Sequence, residues 1–291
     1  MQQVSAQQVM TVRDAGFGIS LQDRGRSGWR RFGIPVSGTM DPHAAQCANR
    51  LLENDTSCAV LELLGPGAKL EMLQDAWVSL CGAASGSNIP AWRAYHAMRG
   101  DTILVRPAKA GLWSYLAVEG GFADRPSFGS VSYYARGHIG RNMESGSILE
   151  RESATRFRLP QGVSGRIAGW SDQRDYAQTP VIRVYPGPQW NFFTHSDRHQ
   201  FLSEEWKISP TSDRVGYRLE GAALKPDPPE IFSEPVRLGS IQVPENGQPI
   251  VTMPDGPTVG GYPKIALVEE IDLCWVAQCR PGQCVRFRLI T

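Results

Sequence analysis

The sequence has no stretch approaching the ~18 apolar residues that a membrane-spanning helix requires, so no span is expected. It also lacks an excess of either charge. Lys and Arg number 30 against 29 Asp and Glu, a net charge of +1, so no global field favours nucleic acid or an anionic membrane. No basic run with interleaved aromatics marks a nucleic-acid face. The opening MQQVSAQQVMTVRDAG has no cationic leader followed by an apolar core, so it does not read as a secretion signal, and a cytoplasmic location is expected. Nucleotide signatures are missing too: there is no Gly-x4-Gly-Lys-Ser/Thr, and no Gly-x-Gly-x-x-Gly follows a strand. A Gly-x-Ser-x-Gly elbow is absent. The six cysteines form no Cys-x-x-Cys pair. Cys274, Cys279 and Cys284 recur every five residues, which fits neither structural zinc nor an iron–sulfur run. All six are expected to be reduced and structural. Of the five scattered histidines only His195 and His199 can share a helix face, and no patterned partner accompanies them, so no metal site is expected.

What is present is strand-like. The segments 60–64, 77–80, 102–105, 115–118, 181–185, 265–268 and 285–289 are short, apolar and bounded by Gly, Pro or polar residues. Thirty glycines and 21 prolines supply turns between many short strands, which argues for sandwich or barrel architecture. One helix is well marked: Asp41-Pro42 gives a capping carboxylate and a first-turn proline, and Ala44, Cys47, Ala48, Leu51 and Leu52 fall on one face. A second, weaker helix is expected over Asp197–Trp206. A chain of 291 residues suggests two lobes. The polar stretch Ser171–Pro180 is the natural boundary, giving a first lobe over 1–178 and a second over 179–291.

The chemistry is concentrated between Gly239 and Lys264, GSIQVPENGQPIVTMPDGPTVGGYPK. Two apolar runs flank Pro244-Glu245-Asn246-Gly247, whose Asn-Gly step supplies the positive φ of a tight hairpin. Beyond them Gly260-Gly261 lets backbone approach a ligand without Cβ obstruction, beside a carboxylate, a hydroxyl, a phenol and an amine. A small polar substrate suits that mixture; a hairpin and a glycine turn is the structural alternative. Pro35–Asp41 is a tight polar loop feeding a helix start, where free N–H groups favour an anion or a carbonyl oxygen; capping alone is its alternative. Gln22–Arg26 reads as a charged surface turn, and Ser212–Gly221 as a segment holding an internal ion pair.

Taken in order, QDRGR (22–26), GIPVSGTMD (33–41), ANRLLEND (48–55), LELLGPG (61–67), YLAVEGGF (115–122), GPQ (187–189), SDRVGYRLEG (212–221) and IQVPENGQPIVTMPDGPTVGGYPKIA (241–266) resemble the family of 5-oxoprolinase C subunits. That family is also described as KipA-like, or as the carboxyltransferase ("allophanate hydrolase subunit 2") domain. The resemblance runs from about residue 22 to 291. Two motifs depart from it. The usual Gly-Ser-Arg-Ser-Thr reads Gly129-Ser130-Val131-Ser132-Tyr133, and the usual Asp-x-Gln-Thr-Thr-Gly-Gly-Tyr-Pro has Pro257 and Val259 in place of Gln and the second Thr.

The resemblance implies a mainly β fold, two lobes of cyclophilin-like β-barrel type with a few short helices. It implies partnership with the B-type (KipI-like) and A-type subunits of 5-oxoprolinase in ATP-dependent opening of 5-oxoproline to glutamate. Relatives that transfer a carboxyl group from carboxybiotin to urea suggest an alternative, with biotin arriving on a partner because this chain has no Met-Lys-Met motif. A non-catalytic KipA-like regulator that binds a KipI-like partner is the other alternative. For a lactam the site must bind a carboxylate and stabilise an oxyanion. Asp255 is assigned as general base or proton relay, and Lys264 or Arg218 as the carboxylate holder. The remaining substrate-binding candidates are Ser37, Gly38, Asp41, Gln242, Thr258, Gly260, Gly261 and Tyr262.

Overall fold

The computed structural model describes residues 6–152, 157–163 and 165–290. They form two compact units. The first comprises the chain up to Arg26 together with Ser37–Ala177; the second comprises Ser27–Val36 and the chain from Gln178. The short segment Ser27–Val36 thus belongs with the second unit although it lies, in sequence, inside the first.

The first unit contains β1 (Gln7–Ala15), β2 (Ile19–Gln22), helix α1 (Pro42–Leu51), β3 (Val60–Leu64), β4 (Ala68–Met72), β5 (Ala76–Gly82), β6 (Arg93–Ala97), β7 (Thr102–Leu104), β8 (Trp113–Val118), β9 (Phe122–Ala123) and β10 (Ile148–Arg151). They build two five-stranded sheets, ordered β7-β4-β1-β10-β9 and β2-β3-β8-β5-β6. One apolar cluster joins them: Val9 and Val12 of β1 and Leu70 of β4 share it with Leu61 of β3, Val78 of β5 and Leu116 of β8. Strands buried on both faces, such as β8, read as continuous apolar runs, which is why the sequence marks them clearly. Helix α1 starts at Asp41, whose side chain accepts the Ala44 N–H, with Pro42 in the first turn.

The second unit contains β11 (Val181–Pro186), helix α2 (His195–Ser203), β12 (Trp206–Ile208), β13 (Gly216–Glu220), β14 (Glu234–Pro235), β15 (Ser240–Gln242), β16 (Ile250–Thr252), β17 (Val259–Gly260), β18 (Lys264–Val268), helix α3 (Leu273–Gln278) and β19 (Cys284–Leu289). Seven of these close into a barrel, β11-β18-β15-β16-β13-β12-β19, while β14 and β17 form a separate two-stranded ribbon. The fold is therefore mainly β, with few and short helices and one closed seven-stranded barrel.

Helix α2 is displaced from its expected span. Thr194 and Asp197 form a reciprocal capping box, which starts the helix at His195, and Trp206 opens β12 instead of ending the helix. The hairpin is found as expected: β15 and β16 pair antiparallel with Ile241 opposite Val251. Gly247 supplies the positive φ, +73°, and donates its N–H to the Pro244 carbonyl at 2.8 Å.

Candidate functional site

Lys264, the first residue of β18, is the organising side chain of the second unit. Its side chain is 5% exposed, and its ammonium lies 2.5 Å from Glu234 Oε1. Among the described residues no other acceptor engages the buried Nζ, and even the Glu234 approach is a charge contact without hydrogen-bond alignment. The ammonium protons therefore retain unused capacity. Gln189 binds this pair on two sides. Its Nε2 donates to Glu234 Oε1 at 2.8 Å, and its Oε1 accepts the Lys264 N–H at 3.1 Å. Gln242 stands directly across from Lys264 in the β15–β18 register, is buried, and donates from Nε2 to Thr252 Oγ1 at 3.1 Å. Lys264 first, and then Gln189, hold the Glu234 carboxyl below its usual range.

The glycines that flank this group have packing reasons. A Cβ on Gly187 would overlap the Lys264 carbonyl oxygen and lie 2.8 Å from Ala266 N, so only glycine lets the Gly187–Gln189 turn lie on β18. A Cβ on Gly260 would meet Gln242 Oε1 at 2.7 Å. The ribbon strand β17 therefore needs glycine there to rest against the carboxamide. Gly260 sits opposite Glu234 in the ribbon, and the Gly261 carbonyl accepts the Ile231 N–H at 2.8 Å. The double glycine is thus a backbone contact that carries Glu234 to Lys264.

Asp255 is placed differently from the role the sequence suggested. It is 5% exposed, and Arg214 grips it with Nε to Oδ2 at 2.8 Å and Nη2 to Oδ1 at 3.2 Å. Its own N–H returns to the Arg214 carbonyl at 2.9 Å. Asp255 fixes the turn after β16, with both carboxylate oxygens engaged by Arg214. Arg218 lies on β13 with its side chain exposed, between the inward-facing Tyr217 and Leu219. No contact brings it to Lys264. Thr258 is half-buried and its carbonyl accepts the Val236 N–H at 3.0 Å; Tyr262 is exposed.

In the first unit, Ser37, Gly38 and Asp41 shape the entry to α1. Both Ser37 and Gly38 have positive φ, +57° and +86°. A Cβ on Gly38 would come within 3.1 Å of the Asp23–Gly25 backbone, so glycine permits that close approach. Ser37 is buried, and its Oγ meets no partner among the described residues. Asp41 is committed internally: Oδ1 accepts the Ala44 N–H at 3.0 Å and Oδ2 accepts Tyr176 Oη–H at 2.9 Å. Its own carboxylate is thus seated at the helix start. Behind it, Glu62 Oε2 accepts the Met40 N–H at 2.7 Å and Tyr115 Oη–H at 2.9 Å. Burial, followed by the Glu62 and Asp41 charges, pushes the Tyr115 phenol well above its ordinary value.

Two side chains at Lys264 have no role in the reading of the sequence. Gln189 lies inside the GPQ motif, which signalled it without assigning a role. Glu234 comes from the proline-rich stretch 225–235, which has no periodicity to reveal it. The charged turn at Gln22–Arg26 also does more than cover surface. Asp23 accepts Ser130 Oγ–H at 2.5 Å, Ser132 Oγ–H at 2.6 Å, the Val131 N–H at 2.8 Å and the Gly25 N–H at 2.7 Å. The two serines kept in the departing motif Gly129–Tyr133 are those that Asp23 binds. Among the described residues no group of three metal-ligating side chains occurs, and no helix is long and apolar enough to cross a membrane.

A closed β-barrel carrying the buried Lys264–Glu234 pair, with Gln189 bonded to Glu234 and to the Lys264 backbone, is the frame of the second unit. The chain belongs to the carboxyltransferase domain family, subdomains A and B, whose family model matches residues 32–289. It is 32% identical to the C subunit of 5-oxoprolinase from Haemophilus influenzae, over 97% of this chain and 92% of that one. To the corresponding C subunit of Escherichia coli 5-oxoprolinase it is 34% identical, over 96% and 90%. It superposes on the crystal structure of Kluyveromyces lactis urea carboxylase with a TM-score of 0.88 at 27% identity, covering 99% of this chain and 28% of that one. The solved chains are longer; of another, matched at TM-score 0.86, it spans 56%.

Proposed function

We propose that this chain is the C-type subunit of a 5-oxoprolinase, opening the 5-oxoproline lactam to glutamate with A-type and B-type partners and at the expense of ATP. The carrying observation is the buried Lys264 ammonium against Glu234 Oε1, an oxygen that the Gln189 carboxamide also reaches, with the buried Gln242 opposite Lys264 on the neighbouring strand; such a grouping suits the carboxylate of a small cyclic amide. Similarity over nearly the full length to two proteins named as C subunits of 5-oxoprolinase supports the choice of substrate. A lactam resists water until its oxygen is activated, for instance by phosphorylation. With the oxygen phosphorylated by ATP and ADP released, water adds at the carbonyl carbon, the ring C–N bond breaks as the nitrogen takes a proton, and a second water cleaves phosphate from the resulting acyl phosphate to leave glutamate. Within this scheme Lys264 holds the substrate carboxylate and the two carboxamides orient the ring.

The test is to purify the chain with its A-type and B-type partners and measure glutamate release from 5-oxoproline. Release that requires ATP, and that falls at least ~100-fold in Lys264→Met, is the expected result. A fully assembled complex that releases no glutamate with ATP present overturns the reading. The likeness to urea carboxylase favours a second reading, carboxyl transfer to urea or a related amide from biotin carried by a partner. Copurification of a biotinylated chain is the observation that selects it.

A further inference from the structure

We propose that Glu234 is an internal stand-in for the ligand carboxylate: it occupies the Lys264 ammonium in the free protein and is displaced to solvent when a small carboxylate binds. This role rests on the Lys264 site proposed above and adds how that site is kept in its empty state. The two partners of the ion pair are unequally buried: Lys264 is 5% exposed and Glu234 38%. A buried ammonium without an anion is strongly destabilising, because the charge has lost its water and gained nothing in exchange. The free protein must therefore bring an anion to Lys264, and Glu234 is the one that reaches it.

Glu234 is not buried with it. More than a third of its side chain stays in water, so releasing the carboxylate restores hydration at small cost, whereas Lys264 has no such escape. Displacement requires a side-chain movement only. The backbone on either side of Glu234 is held elsewhere: the Val236 N–H donates to Thr258 O at 3.0 Å, the Ile231 N–H donates to Gly261 O at 2.8 Å, and Arg30 donates to the Val236 carbonyl. The ribbon can stay in place while the carboxylate leaves.

The departing carboxylate would leave behind a receptor already built. Lys264 Nζ and Gln189 Nε2 both approach the same oxygen, Glu234 Oε1, at 2.5 and 2.8 Å. An incoming carboxylate that puts one oxygen there inherits both donors without rearrangement. The poor alignment of the Lys264–Glu234 contact makes the internal ligand the weaker competitor.

The test compares binding to the wild-type chain and to Glu234→Gln, by calorimetry, for three probes. These are L-5-oxoproline, acetate as a bare carboxylate, and 2-pyrrolidinone as the lactam without one. Removing the competing charge should tighten both carboxylates about fivefold, the factor a partly exposed ion pair supplies. The affinity for 2-pyrrolidinone should not change. In Lys264→Met both carboxylates should lose measurable binding. The proposal is overturned if Glu234→Gln binds the carboxylates equally or more weakly, or tightens 2-pyrrolidinone as much. Glu234→Ser serves as a second neutral variant, and a thermal melt confirms that each is folded. The two readings separate cleanly. If carboxylates tighten but the complex opens no 5-oxoproline, the stand-in survives and the enzyme assignment fails. If the complex opens 5-oxoproline and the affinities do not respond, the reverse holds.

Discussion

Replacing Asp255 by Asn changes one atom and almost no volume, yet it removes the anion from a pair that is nearly closed to water. Asp255 is 5% exposed and Arg214 17%, and two contacts of 2.8 and 3.2 Å tie them together. Breaking a buried pair by removing one partner costs about 3–5 kcal/mol, most of it from the charge left behind. The residual exposure of Arg214 lets water recover some of that, which puts Asp255→Asn near the lower bound, about 3 kcal/mol. With urea slopes of about 1–3 kcal/mol per molar, the unfolding midpoint of the variant should fall by roughly 1–3 M. The double variant Arg214→Met with Asp255→Asn removes the stranded charge as well, and should be more stable than Asp255→Asn alone. That non-additivity is the signature of a pair that acts as a unit. Activity separates the structural role from a catalytic one. Where the variant is still folded, turnover of the complex should hold within about threefold, whereas loss of a general base removes a factor of about 10²–10⁴. A midpoint unchanged within error, additive single effects, or a loss of turnover of about a hundredfold in folded protein would each refute the assignment.

Three further outcomes are expected. Gly187→Ala forces a methyl into the β18 backbone at Lys264 and should destabilise by about 3 kcal/mol, the upper range for overpacking, because main chain cannot yield as a side chain can; a melting temperature indistinguishable from that of wild type contradicts this. Glu234 has a depressed carboxyl, so its contribution is present above the unfolded value of about 4.3 and disappears as pH falls through the lower folded value. The wild type should therefore exceed Glu234→Gln in stability at pH 7, because the variant leaves the buried ammonium without its anion, with the gap closing as the pH falls through the acid range; a gap that persists in acid argues against the ion pair. Burial, then Cys284, pushes the Cys279 thiol up to about 12. At pH 8 roughly one thiol in 10⁴ is then ionised, so mass spectrometry after iodoacetamide treatment should find Cys279 unlabelled until the protein is unfolded, and early labelling of Cys279 counts against its burial.

The parts of this fold that are visible in sequence are those encoded locally. Asp41-Pro42 places α1, Asn246-Gly247 places the β15–β16 hairpin, and short, mostly apolar runs bounded by turn residues place β3, β8 and β11. Helix α2 departs by a few residues from its expected span because its start depends on the Thr194–Asp197 exchange, while the aromatic at 206 suits strand and helix alike. The site is legible in part. Lys264, Gln242 and Gly260 do come together, but through the bulged pairing of β15 with β18 and the packing of Gly260 on Gln242, not through the hairpin the sequence announces. Their counter-ion is not legible, because Glu234 arrives from a proline-rich stretch through a two-residue strand. Asp255 and Arg214 lie in separate motifs, and nothing local says that the one neutralises the other. Gly260-Gly261 resembles a ligand cradle because glycine makes room for any close neighbour. Here the neighbour is Gln242.

The barrel closes where β11 meets β19 in parallel, with Val181 opposite Arg286. During synthesis every other strand of that barrel leaves the ribosome before the one that seals it. Until Cys284–Leu289 emerges, β11 and β12 each present an unpaired edge, the arrangement most prone to pair with a stranger. Such long-range closure is also slow relative to hairpin formation. Ser27–Val36, made early but belonging to this late-closing unit, must wait for it. Yield in a cell should therefore depend on how well the nascent chain is shielded through its last strand, and substitutions that weaken β19 should reduce soluble protein more than equally destabilising changes in the first unit.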